Sequence, residues 1–393
     1  MKIDDKTSHN SPSLRFPEFT GEWENKRIGD IGKFFSGGTP SSSRKDFYGG
    51  EIPFIRSGEI HSDKTELFLT QEGYKNSSAK MVEVGDILLA LYGANSGDIS
   101  ISQMRGAINQ AILCIRTNVA PVFFKSVWEK HAQKILNTYL QGGQGNLSAD
   151  IVKKITISIP SQIEQAKIAA LFSHLDERIS IQNRLIDRLQ SLIKGINRTI
   201  FTGSGLEYSL CDVCEIRSGY SGNQLQGGKG LGVSRIETIS AHNINLERIG
   251  YVAPFDASEN YRLQVGDILF SNINSVEYIG NTAFIDKDYN LYHGMNLLRL
   301  IPFRNVVVPF YLYILLNTNR MLKHFKTICN KAVSQASINQ KELGKTIVML
   351  PSLEKQKQVC NMYQAMYSKL KTEKDVLSFY QEQKRYLLRH MFI

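Results

Sequence analysis

Val84-Gly85-Asp86-Ile87-Leu88 returns in the second half of the chain as Val265-Gly266-Asp267-Ile268-Leu269. Ile159-Pro160-Ser161 likewise returns as Leu350-Pro351-Ser352, at an offset of 191 residues. Behind each Pro-Ser lies a helix start, Glu164-Gln165 in one copy and Glu354 with Gln356 in the other. Upstream, Gly29-Asp30-Ile31 is answered by Cys211-Asp212-Val213. Between these shared posts the copies differ almost completely. A repeat of this period predicts one fold kept twice while its loops diverged.

Each copy opens with β-branched and aromatic alternation, broken by turns such as Ser36-Gly37-Gly38-Thr39-Pro40 and Tyr92-Gly93-Ala94. Each closes in a long helix. In the first, apolar residues fall at Ile168, Phe172, Leu175, Ile179, Ile186, Leu189 and Ile193, with Gln182 interrupting. The second keeps the register through Val359, Tyr363, Met366, Leu370, Leu377 and Tyr380, with Glu373 where Gln182 fell. Heptad seams this long exceed what a surface helix needs. Two matched seams in one chain predict antiparallel pairing, with Gln182 and Glu373 as a register-fixing polar level. Ordinary core helices, each folded onto its own domain, are the alternative.

The expected fold class is therefore α+β. Two globular mixed domains are separated and joined by two long antiparallel coiled-coil helices, and the whole is an internal pseudo-two-fold repeat. The boundaries read as a tail over 1–15, domains over 16–160 and 203–351, and spacer helices over 161–202 and 352–393.

Over 393 residues, Lys and Arg exceed Asp and Glu by 47 to 37, a net charge of +10 that favours a polyanionic partner. Residues 1–12 are polar and lack the apolar core of a secretory signal. The longest apolar run, 306–316, is too short for a membrane span and contains Pro309, so no membrane is expected. Five cysteines suit a reducing cytoplasm. Cys211 and Cys214 form a lone C-x-x-C without a second pair, and read as small half-buried strand residues rather than zinc ligands.

Catalytic patterns fail one after another. The chain has no Pro-Pro, which the base-holding loop of an amino-methyltransferase requires. Pro254-Phe255-Asp256 is followed by Glu259-Asn260-Tyr261, without the lysine of a metal-dependent nuclease. Gly228-Lys229-Gly230 lacks the Ser or Thr of a phosphate loop and reads as a loop tip. The eight histidines show no i, i+4 metal pair. No catalytic residue and no metal site is expected.

The order of domain, Pro-Ser-x-x-Glu-Gln helix, domain and Pro-Ser-Leu-Glu-x-Gln helix resembles the specificity (S) subunit of type I restriction–modification enzymes. The likeness covers nearly the whole chain from Leu14-Arg15-Phe16-Pro17-Glu18-Phe19, through Trp23, Gly37-Gly38-Thr39-Pro40, Ile52-Pro53-Phe54-Ile55 and Gly143-Gln144-Gly145-Asn146-Leu147-Ser148. The second copy departs from it, offering Arg217-Ser218-Gly219-Tyr220-Ser221 and Ser334-Gln335-Ala336-Ser337-Ile338. The resemblance implies a subunit without activity of its own, cytoplasmic, binding double-stranded DNA and two methyltransferase (modification) subunits. Through these it would join restriction/translocase subunits. S-adenosylmethionine, ATP and Mg would sit on the partner subunits and no cofactor in this chain. Each domain would read half of a split, asymmetric site.

Phosphate contacts are expected from Lys and Arg on loops, and base contacts from Arg, Asn, Gln and Ser at loop tips. In the first domain the candidates are Ser41, Ser43, Arg44, Lys45, Arg56, Lys64, Asn95, Arg105, Gln144 and Asn146. In the second they are Tyr220, Asn223, Lys229, Arg235, Asn243, Asn272, Asn274 and Gln335. For any one of them a solvated surface side chain is an equal reading. Two other classes of function stand beside this one: a coiled-coil protein-interaction scaffold that binds no DNA, and a solitary enzyme with an unfamiliar site.

Overall fold

The computed structural model describes residues 10–140, 146–200, 205–225, 228–240, 243–331 and 335–393. The chain divides into two compact units, Met1–Arg184 with Lys374–Ile393, and Leu185–Glu373. Each unit therefore holds one globular head and a stretch of each long helix.

The duplication is visible strand by strand. The first head centres on an antiparallel sheet in the order Gly32–Ser36, Ile112–Thr117, Ile87–Ala90, Ile99–Ile101. The second has Cys214–Ser218, Leu298–Pro302, Ile268–Phe270, Thr282–Phe284 in the same order. A hairpin-like pair closes each head at its base, Glu24–Arg27 with Thr156–Ile159 and Leu206–Ser209 with Ile347–Leu350.

The repeated Val-Gly-Asp-Ile-Leu is the turn into the central strand. Its glycine takes a left-handed backbone, φ +94 at Gly85 and +102 at Gly266, which a side chain would oppose. Its aspartate closes the turn, accepting from the N–H of Glu83 (2.8 Å) or Gln264 (2.6 Å). The strand that follows is covered on both faces, so its residues split by parity. Ile87 and Leu89 pack with Trp23, Phe123, Trp128 and Phe172, while Leu88 and Ala90 pack with Ile55, Val82 and Ile108.

The Pro-Ser-…-Gln element is a clip. Gln165 donates to the Pro160 carbonyl (2.9 Å) and accepts from the Ala120 N–H (3.1 Å). Gln356 repeats this with Pro351 (2.9 Å) and Val308 (2.8 Å). Both glutamines are buried, so each ties a long helix to the helix that follows the central sheet, Pro121–Leu140 or Pro309–Leu316.

The long helices run Gln162–Ile200 and Leu353–His390. Within the first unit they are antiparallel: Phe172 meets Phe392 (ring centroids 5.4 Å), Asp176 meets Lys384 (2.8 Å), and Arg178 lies over Tyr380 (5.9 Å). Among the seam residues Ile168, Phe172, Leu175, Ile186, Ile193, Val359 and Tyr363 are buried, and so are the polar Gln182 and Glu373. Ile179, Leu189, Met366, Leu370, Leu377 and Tyr380 are half-buried. The Leu14–Phe19 phrase has a structural role too, because Arg15 makes a two-pronged ion pair with buried Glu164 (2.7 Å).

The C-x-x-C departs from expectation. Cys211 is exposed on a single helical turn, Leu210–Val213, and only Cys214 enters a strand, buried. Asp212 at the end of that turn bonds back to Ser209, and this capping interaction favours the turn over an extended start.

Candidate nucleic-acid interface

In the first head the eight-residue strand Tyr48–Ile55 separates the candidates. Ser41, Ser43, Arg44 and Lys45 precede it, while Arg56 and Lys64 follow it, about 20–26 Å away at ~3.3 Å per residue. Ser41 and Ser43 are exposed and share a hydrogen bond (2.8 Å). Arg44 stacks on Phe47 (4.3 Å) and is chelated by Asp46, whose carboxyl it holds below the usual range. Arg56 is held by Glu59 (2.9 Å) and Glu66 (2.9 Å), and the pairing pulls the Glu59 carboxyl down to about 2. Arg105 is paired with Glu83 (3.1 Å). Lys45 and Lys64 are exposed and have no carboxylate partner among the described residues.

The structure does bring some candidates together. Asn95 is exposed in the turn after the central strand and lies beside Gly58 of the Arg56 loop. His61 and Asp98, bonded at 2.9 Å, tie the same two loops. Asn146 is exposed next to Leu147, whose N–H binds the Leu91 carbonyl (3.0 Å) at the root of the Asn95 turn. Gln144 lies outside the described residues.

The second head repeats this second arrangement. Ile338 N–H binds the Asn272 carbonyl (2.8 Å), and a small sheet pairs Ile273–Asn274 with Ala336–Ser337. Asn272, Asn274 and Gln335 are thus neighbours. The Asn272 Nδ2 donates to the Ile338 carbonyl (3.3 Å), and its buried Oδ1 has no partner among the described residues. Asn274 bonds Ser271 (3.1 Å) and the N–H of Ser275 (2.8 Å). Ser337-Ile338-Asn339, although degraded in sequence, occupies the place of Asn146-Leu147-Ser148: Ser148 and Asn339 each cap the short helix that follows.

Elsewhere in this head Tyr220 is stacked flat on Phe255 (3.6 Å) and edge-on to Tyr261 (5.7 Å), half-buried in a small aromatic core. Arg235 is exposed and sits 3.7 Å from Glu237. Asn223, Lys229 and Asn243 are exposed on other loops.

Sequence reasoning overlooked the carboxylates that neutralise these arginines. Asp46 two residues beyond Arg44 and Glu59 three beyond Arg56 were a readable signal. Among the described residues no group of three His, Cys, Asp or Glu is placed to hold a metal. No helix among them is long and apolar enough to cross a membrane. An open cleft of about 940 Å³ in the first unit is lined by Glu24, Lys26, Asp30, Lys33 and Arg116. It contains none of the candidates.

The model of the type I restriction modification DNA specificity domain matches residues 20–191 and again 206–377. The chain belongs to this family. Its two matched segments fall on the two copies described above. Over 157 residues the chain is 43% identical to the protein described as the type I restriction enzyme MjaX specificity subunit of Methanocaldococcus jannaschii, covering 39% of this chain and 37% of that protein. With the MjaVIII specificity subunit of the same organism it is 24% identical over 406 residues, 94% of this chain and 90% of the other. The chain spans less than half the length of several curated relatives it matches. In fold it is similar to the S subunit of a type I restriction–modification system from M. genitalium, with a TM-score of 0.63 at 16% identity over 98% of this chain and 99% of that one.

Proposed function

We propose that the chain is the DNA-reading specificity subunit of a type I restriction–modification complex and carries no reaction of its own. Each head reads one half of a split, asymmetric site. The long helices dock two methyltransferase subunits, which hold S-adenosylmethionine, and through them the restriction subunits, which use ATP and Mg. The observation that carries this reading is the double match of the specificity-domain family to two heads that keep one sheet topology while their loops diverge. Two scaffolds with different loops are what two unlike half-sites require. The surplus of ten positive charges supplies the sequence-independent part of the affinity.

The test is the affinity of the chain, purified with its methyltransferase subunits, for duplex DNA at 50 to 200 mM salt. Binding should be sequence-selective and fall steeply with salt. An affinity independent of salt contradicts the reading and favours the protein-interaction scaffold.

A further inference from the structure

One loop in each head is pinned at both ends by the same hydrogen bonds in both copies. In the first head the Leu91 carbonyl accepts from Leu147 (3.0 Å), and the Gly97 N–H donates to Ala90 (2.8 Å). In the second the Asn272 carbonyl accepts from Ile338 (2.8 Å), and the Gly280 N–H donates to Ser271 (2.9 Å). Gly97 and Gly280 share a left-handed backbone, φ +86 and +83. Each is pressed on a helix side chain, so that an added Cβ would come within 2.8 Å of Leu136 or 2.7 Å of Phe325. The root of the loop is one device used twice.

What lies between the pins differs in length and in chemistry. The first copy holds five residues, 92–96, and the second seven, 273–279. Their tips face water: Tyr92 is 38% exposed, Val276 37% and Tyr278 49%, and Asn95 and Glu277 are exposed as well. Arg44, Arg56 and Arg105, by contrast, are occupied by carboxylates of their own head.

We infer that these two pinned tips are the base-reading elements, one per head, an inference that rests on the DNA-reading function proposed above. A reader must hold its side chains in a fixed position while letting their identity change, and this loop is anchored at both ends by equivalent bonds in the two copies. The Asn95 amide carries the donor and acceptor that match the N7 and N6 edge of adenine. Glu277 can accept from a cytosine amine, and the Val276 methyls suit a thymine methyl. The two heads therefore present different base preferences from one geometry.

The complex with its methyltransferase subunits is offered a pool of randomised duplex DNA, and the bound sequences are read. Asn95→Ala should relax preference at one position of one half-site by roughly 5- to 150-fold and leave the other half-site intact. Glu277→Ala should do the converse. Both residues are exposed and neither forms a pin, so the melting temperature should not move. Unchanged selectivity at every position in both variants overturns the assignment while the DNA-reading function stands. An unsubstituted complex that selects no sequence takes down both.

Discussion

Asp267 and Arg299 form a buried ion pair in the second head, 2.6 Å apart with side chains 4% and 5% exposed. The first head solves the same problem differently. Asp86, the matching aspartate, pairs at 2.7 Å with Arg116, whose side chain is 42% exposed. Strand pairing sets Leu269 opposite Arg299 and Leu88 opposite Cys114. The arginine has thus moved two residues along the strand, onto the same face but nearer to solvent. The aspartate is common because it closes the turn; its cation is not.

The two pairs should respond unequally to loss of the carboxylate. Asp267→Asn strands a buried guanidinium and should cost about 3–5 kcal/mol. Asp86→Asn leaves Arg116 able to reach water and should cost about 1 kcal/mol. Urea unfolding measures both, and equal losses contradict the account.

His293 is buried, with a ring nitrogen 3.0 Å from the Leu297 carbonyl, and burial lowers its pKa to about 4. An unfolded imidazole titrates near pH 6.5. Between these values the unfolded chain takes up a proton that the folded chain refuses, so stability falls as the pH drops from 6.5 to 4, by about 3 kcal/mol in all. His293→Gln should flatten this dependence in unfolding measured at pH 7, 5.5 and 4.5. An unaltered slope would show that other groups cause it.

Removing the Gln356 side chain leaves the Val308 N–H and the Pro351 carbonyl without their partner. Gln356→Ala should therefore cost about 2–3 kcal/mol. In hydrogen exchange the Val308 amide should lose protection before the central sheet does. Retained protection at Val308 would show that the clip is dispensable.

Cations should separate by whether their own head already uses them. Lys45→Glu with Lys64→Glu should weaken DNA binding and reduce the salt slope by about 2, with the melting temperature unchanged. Arg56→Gln should lower the melting temperature, because Glu59 and Glu66 lose their shared partner. A salt slope unmoved by the lysine pair removes both from the interface.

The scaffold was legible because its signals are local and repeated. The turn glycine and aspartate, the clip glutamine and the four-three spacing of the seams each recur at matching places, and each has one physical job. The sites were less legible, because a charged side chain on a loop looks the same in sequence whether it faces DNA or a carboxylate of its own head. Arg44 and Arg56 show this. Tyr92, Val276, Glu277 and Tyr278 were passed over for the opposite reason. Nothing in their identity marks them, and only the bonds at Leu91, Gly97, Asn272 and Gly280 reveal that the two turns are one element. Cys211 misled as well, since a helical turn and a strand entry of four residues carry the same composition.

The most direct measurement is the consensus that the unsubstituted complex, with its methyltransferase subunits, selects from randomised duplex DNA. Two short, unlike specified segments separated by a fixed unspecified gap are predicted. One contiguous motif, or no motif, would contradict the claim that two diverged copies of one fold read two halves of a site.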